Sequence, residues 1–491
     1  MTEHVKQKHL LAIDRMTRAW SVSFDPNSVS PDGTREDLAA NMVANVAVGD
    51  QKVRNDFDRV SIFKRPIFNA TWDSTKGCWV DLVAQGEAGF TFSPTQENRE
   101  VVYRCQPFWY KLGFDGRYGP NFVSVTDRPL EGYQLAPMFR DGETYEYRPC
   151  FELALGSDGK PHSRAGLEPF EDLPVELMQK VFSYDSNART ETMADWFCDY
   201  LLLMVEFGTR NLQSLMRGVT RGELFTWIVR DDEDGEGYSH GIYTSERDSF
   251  VIGKTYRMFY RNEVDAWSYR EAKLLAIEEI PYGDEEDEMF YYLLRFDVEE
   301  SIIYDYDSIA LYEPPCKTGA ALPYVSNATS GRRDEDTYSP CVWRGKENPW
   351  GNMSSFICDV LFDVLSTLAA PYVYMTDDIK AFDGTKNNSY QTQGYLVKTC
   401  LTRQKGYIAA FTRAGDEDHI WVPADFQFDH PQHHFATYAA IVPISKLGLH
   451  YLRVGGDYRV TGSINHATYE MQIASRSYSL FGGRLILQEG V

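Results

Sequence analysis

The spacing predicts one clear helix in this 491-residue chain, and that scarcity constrains the fold more than any motif. Over Glu191–Gly218, the residues Ala194, Phe197, Leu201, Met204 and Val205 recur at i, i+3, i+4 spacing. Thr190 or Glu191 stands near its start, and Gly218 is its expected stop. Weaker helical readings fall on His9–Trp20 and Ser354–Leu368. Elsewhere the pattern is short and strand-like. Residues 76–83 alternate, residues 100–112 are extended and aromatic, and Asp115-Gly116, Asp141-Gly142 and Asp158-Gly159 sit where hairpin turns belong. A chain with so little helix must bury its core between sheets. The 14% aromatic content agrees, because disordered chains are aromatic-poor and sheets pack aromatic rings well. The expected class is α+β with a β-rich N-terminal part.

Charge divides the chain. The net charge of −23 argues against a broad positive face, so neither nucleic acid nor an anionic membrane is an expected partner. Residues 222–336 hold 27 acidic and 11 basic side chains, a net of −16. Acidic runs at 231–234 and 284–288 bound strand-like stretches at 250–260, 272–280, 289–296 and 301–312. This reads as a small β insert with solvated acidic loops. Calcium is the sharper alternative, but the spacing matches no EF-hand loop. Residues 1–60 read as a lead-in or attachment segment. Met1–His9 is polar with no apolar signal-peptide region after it, and runs such as Leu201–Val205 are too short for a membrane span. Export by a classical signal and membrane insertion are therefore not expected. The eight cysteines are scattered with no C-x-x-C pair, which suggests free thiols.

The familiar catalytic signatures do not occur: no H-E-x-x-H, G-x-S-x-G, phosphate-binding loop or dinucleotide fingerprint. His430, His433 and His434, with His419 nearby, read as a polar loop with unrelated histidines or as metal ligands. Carboxylates are too many for the sequence to single out a glycosidase-like pair. No catalytic residue, cofactor or metal is assigned.

Three constellations remain. The first is Trp343-Arg344-Gly345-Lys346-Glu347-Asn348-Pro349-Trp350-Gly351-Asn352, read as a sharp turn with a tryptophan on either side and a buried polar network through Arg344 and Glu347. The second, Met204–Ser214, is read as a late helical stretch with a polar stripe at Glu206, Arg210 and Gln213. The third is the ending, with Gly455, Gly456, Asp457 and Tyr458 followed by Gly482, Gly483, Arg484 and Leu485. Together they resemble phage tail-fibre and receptor-binding proteins whose C-terminal half is a C-type-lectin-like domain. That broad fold is shared with formylglycine-generating enzymes and retroelement variable proteins. The family's RGIENPWGN turn is similar to Arg344–Asn352, with Lys346 in place of an apolar residue. Its EFGTRNSQ helix is similar to Glu206–Gln213, with Leu212 in the Ser position. Upstream, Pro129–Tyr133, Pro137–Glu143 and Cys105–Leu112 also match.

The resemblance spans about residues 60–221 and 337–491. It implies a β-rich region over 61–170 and a C-type-lectin-like domain over 171–221 and 337–491, interrupted by the 222–336 insert. The enzymatic branch of the fold needs reactive cysteines in the C-terminal segment. None lies between Gly456 and Gly482, so no enzyme is expected. In the variable-protein branch that segment binds ligand. Here thirteen of the 25 residues from Asp457 to Phe481 are Tyr, Ser, Thr, Asn, His or Arg, and none is Lys. This composition suits adaptable recognition, but it also suits the polar edge of a small β domain. The receptor-binding candidates are Tyr458, Arg459, Thr461, Ser463, Asn465, His466, Tyr469, Gln472, Arg476 and Tyr478. The resemblance implies a virion protein, a tail-fibre or receptor-binding component that contacts a host-surface receptor and other virion proteins. It implies a homo-oligomer, a trimer by analogy. A head or baseplate decoration protein and a surface-glycan-processing enzyme are the alternatives.

Overall fold

The computed structural model describes residues 16–47, 53–114, 119–139, 144–212, 215–216, 218–229, 241–261, 267–282, 289–298, 309–322, 329–331, 339–365, 372–395, 405–414, 418–427, 438–441, 447–456, 469–473 and 482–489. The structure is mostly β-sheet, 41% strand against 13% helix, so sheets supply most of the framework. A five-stranded antiparallel sheet runs in the order Thr34–Asp37, Ala19–Ser23, Phe122–Thr126, Trp109–Gly113, Gln134–Leu135. A four-stranded sheet orders Cys78–Ala84, Ile67–Asp73, Arg99–Cys105 and Glu146–Pro149. The extended stretch expected over 100–112 is thus two strands of different sheets, parted at Gln106-Pro107-Phe108. The turn at Asp158-Gly159 joins Ala154–Leu155 to Pro161–His162, with Gly159 at φ +73°.

The sheet that positions the C-terminal segment has eight strands. Its order is Gln391–Tyr395, Tyr372–Met375, Ser355–Val364, Gly448–Val454, Tyr469–Ile473, Tyr438–Ile441, Lys405–Arg413, Trp421–Gln427. Here one expectation is corrected. Residues 355–364 form a strand, not part of a helix over Ser354–Leu368. Its residues from Phe356 to Val364 are all buried, so both faces are covered and no alternation of apolar and polar residues marks it as a strand. Of the helix expected at His9–Trp20, residues 9–15 lie outside the described residues and 16–18 are helical; the correction is at its end, where Trp20 lies in the Ala19–Ser23 strand, whose inward residues pack on the core.

Among the described residues two helices are long enough to matter, α1 (Pro174–Tyr184) and α2 (Met193–Phe207). Thr192 caps α2 by accepting from the Asp195 amide, and Asp195 reciprocates to the Thr192 amide, closing a capping box. The helix stops at Gly208, φ +67°, ten residues before the expected stop. Of the polar stripe, Glu206 is helical, Arg210 lies beyond the helix end, and Gln213 lies outside the described residues. Eleven of the fifteen α2 residues are buried, because the helix runs through the interior between sheets. No described helix is long and apolar enough to cross a membrane.

The largest hydrophobic core unites Val22 and Phe24, the α2 side chains, Trp343, Trp421, Leu452 and Val454. Within 222–336, a six-stranded sheet orders Trp227–Val229, Gly241–Thr244, Met289–Phe296, Trp267–Tyr282, Thr255–Arg261 and Ile309–Tyr312. It buries a core of its own around Tyr256, Met258, Leu274 and Leu294. The acidic runs at 231–234 and 284–288 lie outside the described residues.

Candidate functional site

The Trp343–Asn352 motif begins as a two-residue hairpin. Trp343 pairs with Lys346 across the turn, and Arg344 (φ +49°) and Gly345 (φ +86°) both take the left-handed conformation this tight hairpin requires. A non-glycine residue holds that conformation because its side chain is fixed elsewhere. Arg344 Nε and Nη2 donate to the two oxygens of Glu206 at 2.8 and 2.7 Å, and Nη1 donates to the Phe63 carbonyl at 3.1 Å. Trp343 Nε1 and Asn55 Nδ2 complete the shell on Glu206 at 2.9 and 2.7 Å. Burial alone would push Glu206 up, but the Arg344 guanidinium and these donors hold its carboxyl below the usual range.

Lys346, the departure from the family turn, is buried and has two partners. Its ammonium donates to Glu191 at 2.5 Å and Asp199 at 2.9 Å, and Asp199 also accepts from Arg65 at 2.6 Å. Glu347 does not join Arg344. It accepts the amides of Gly319 and Ala321 at 2.9 and 2.8 Å, so the expected single network is two separate ones. Asn348 (φ +45°) and Asn352 (φ +60°) direct their side-chain amides to Glu152 at 3.2 and 2.5 Å, and the Met353 amide donates to its other oxygen at 3.0 Å. Burial pushes Glu152 up to about 8 and Glu347 up to about 7. Trp350 donates to the Met216 carbonyl. At Gly351 a Cβ would lie 2.6 Å from the Val219 amide nitrogen, so the turn crosses the 218–219 backbone at a distance only glycine permits.

The ends of the Asp457–Phe481 segment are pinned to this turn. The Gly351 amide donates to the Gly455 carbonyl at 2.7 Å, the Gly482 amide to Ser354 at 3.0 Å, and the Phe356 amide to Gly482 at 3.0 Å. Ser355 pairs with Val454 on one side and bridges to Gly482 on the other. Gly456 (φ +64°) follows Gly455 (φ +95°) at the exit. At the return, Gly483 accepts from the Leu153 amide at 2.8 Å, and Arg484 donates to the carbonyls of Cys150, Glu347 and Asn348. The two ends of the segment thus meet at one place, while its Tyr469–Ile473 stretch lies within the eight-stranded sheet.

Of the ten receptor-binding candidates, Tyr469 and Gln472 lie in a described strand, which pairs antiparallel with Gly448–Val454 and parallel with Tyr438–Ile441. They are three positions apart, so they do not share a sheet face. Tyr458, Arg459, Thr461, Ser463, Asn465, His466, Arg476 and Tyr478 lie outside the described residues, as do His430, His433 and His434. His419 is buried with its ring 6.3 Å from that of Phe197. The described residues hold no cluster of three or more metal-ligating side chains. Seven of the cysteines are described and all are free thiols.

Sequence reasoning missed Glu152 and Asp359. Each is a lone acid inside an apolar run, CFELAL and FICDVLF, and that isolation was the available signal. No family model matches the sequence, and no curated protein matches it.

Proposed function

We propose that this chain is a phage virion protein, a tail-fibre or receptor-binding component, whose Asp457–Phe481 segment contacts a host-surface receptor. The observation that carries the reading is the double anchorage of that segment on the 351–356 turn. A recognition segment must vary in contact chemistry without disturbing its support. Here the support is a set of buried ion pairs and glycine crossings made by the same residues that resemble the tail-fibre family. In this reading the framework is a C-type-lectin-like domain. Trp343, Arg344, Gly345, Glu347, Asn348, Trp350, Gly351, Asn352, Gly455, Gly456, Gly483 and Arg484 hold it together rather than touch the receptor. The protein acts in the virion, as a homo-oligomer alongside other virion proteins.

The test is competition. Purified chain, added to cells that the parent phage infects, is expected to reduce phage adsorption. Replacing Tyr458, Arg476 and Tyr478 together by alanine should abolish that competition without moving the denaturation midpoint. Tyr469 is left intact because its strand sits between two others. Undiminished competition by the triple variant removes the segment from the interface. No competition by the parent chain removes the receptor-binding role.

A further inference from the structure

A buried histidine with a carboxylate on each ring nitrogen lies in the hairpin of Ala154–Leu155 and Pro161–His162. His162 is 1% exposed. Its Nδ1 stands 2.7 Å from Glu100 Oε1, and its Nε2 stands 3.2 Å from both oxygens of Asp158 at the hairpin tip. Gly156 makes room for this arrangement. A Cβ there would lie 2.6 Å from His162 Cδ2 and 2.7 Å from Asp158 Oδ1. Gly156 does not take the left-handed conformation, so the imidazole–carboxylate contact requires glycine and the turn itself does not.

The two contacts cannot both persist on a neutral ring. Glu100 is also buried, and it accepts from the Ser163 amide at 2.7 Å, Arg164 at 3.2 Å and the Tyr184 hydroxyl at 3.1 Å. Its oxygens act as acceptors, so Nδ1 must donate to it. Burial works against an ionised Asp158, but the Lys160 amide and His162 hold its carboxyl below the usual range, so Asp158 accepts as well. An imidazolium donates from both nitrogens, whereas a neutral imidazole donates from one and presents a lone pair at the other. Histidine side chains exchange these forms between pH 5 and 8. The remaining proton belongs on Nδ1, because Glu100 is buried and closer, while the Asp158 side chain is 42% exposed and can turn into water. Among the neighbouring charged groups, Lys160 pairs with Glu97 at 2.8 Å and Asp185 accepts from Trp72 at 2.8 Å, which leaves His162 as the side-chain donor to Asp158.

We propose that His162 is a pH-sensitive latch on the 154–162 hairpin, closed when both ring nitrogens carry protons and opened on the Asp158 side when Nε2 loses its own. The latch is independent of the receptor-binding reading. Acid closes it and alkali opens it. Asp158 Oδ1 also accepts the Lys160 amide at 3.0 Å, so departure of Asp158 strips that amide of its acceptor and loosens the tip.

Nitrogen-15 spectra of the imidazole rings in the full chain, with His162→Gln identifying the resonance, follow each ring nitrogen from pH 5 to 8. Both nitrogens of His162 are expected to be protonated at pH 5, and Nε2 alone to be deprotonated at pH 8. Amide exchange of the parent chain, corrected for its intrinsic pH dependence, should show protection of Lys160 falling about tenfold over the same range. Asp158→Asn keeps an oxygen for the Lys160 amide and offers Nε2 a donor, so Lys160 should stay equally protected at pH 5 and pH 8. The position is exposed, so the denaturation midpoint of this variant should match the parent. A ring already neutral at pH 5, a ring still doubly protonated at pH 8, or loss of the Nδ1 proton first overturns the latch. So does Lys160 protection that holds across the range in the parent, or a decline that survives in Asp158→Asn.

Discussion

Lys346 shows how a single residue rewrites its surroundings. The tail-fibre resemblance puts an apolar residue at this position, and composition gives no reason for the change. In the fold its ammonium sits between the buried Glu191 and the partly buried Asp199, and Arg484 comes only to 3.9 Å from Glu191. Lys346→Ile would restore the family pattern yet strand Glu191. We expect it to destabilise the chain by about 3 kcal/mol, because removing one partner leaves a buried charge uncompensated. Lys346→Ile combined with Glu191→Gln should cost less than the sum of the two single changes. Urea denaturation midpoints of the three variants decide this, and strict additivity would exclude the pairing. The need for a turn at 343–352 was legible in the sequence. The countercharges were not, since Glu191, Asp199 and Lys346 are separated along the chain and meet only after folding.

At the level of elements, the ends and types of segments were harder to read than their existence. The helix was found, but its end was placed at Gly218 because apolar residues continue past Gly208. Both glycines have positive φ, +67° and +70°, for different reasons. Gly208 terminates α2, and a Cβ there would lie 3.3 Å from the flexible Arg35 side chain. Gly218 is a crossing point, where a Cβ would lie 2.4 Å from the Trp350 carbonyl oxygen. Gly208→Ala should cost about 1 kcal/mol from backbone strain, whereas Gly218→Ala should cost roughly 3 kcal/mol because backbone must also move. Similar shifts in thermal midpoint for the two would contradict the crossing. The strand at 355–364 was misread for a related reason. A segment buried on both faces loses the alternation that identifies a strand, and its bulge at 358–360 breaks the remaining period.

Across the whole molecule, the charge asymmetry was readable, and its acidic share falls in a region with its own sheet and core. The charges inside the fold were not readable, and they set how stability depends on pH. Two groups of buried carboxyls oppose one another. Asp195, Glu191, Asp199 and Glu206 are driven up by burial but held below their usual range by the cations beside them. Their stabilising contribution is present above pH 4 to 4.5 and is lost as pH falls through their folded values. Glu152, Glu347 and Asp359 are pushed up by burial to about 8, 7 and 7. Their contribution is fully present below pH 4 to 4.5 and is lost as pH rises toward 8. Stability should therefore peak near pH 5 and fall toward pH 8, each of the three groups contributing about 3 kcal/mol to the decline when taken alone. Asp359→Asn removes one of the three groups while keeping the hydrogen bond from the Met193 amide, so it should flatten the decline and be more stable than the parent at pH 8. Denaturant midpoints from pH 4 to 8 measure both effects. A parent midpoint that rises over that range, or a variant that declines as steeply, would mean these carboxyls are not held protonated in the fold.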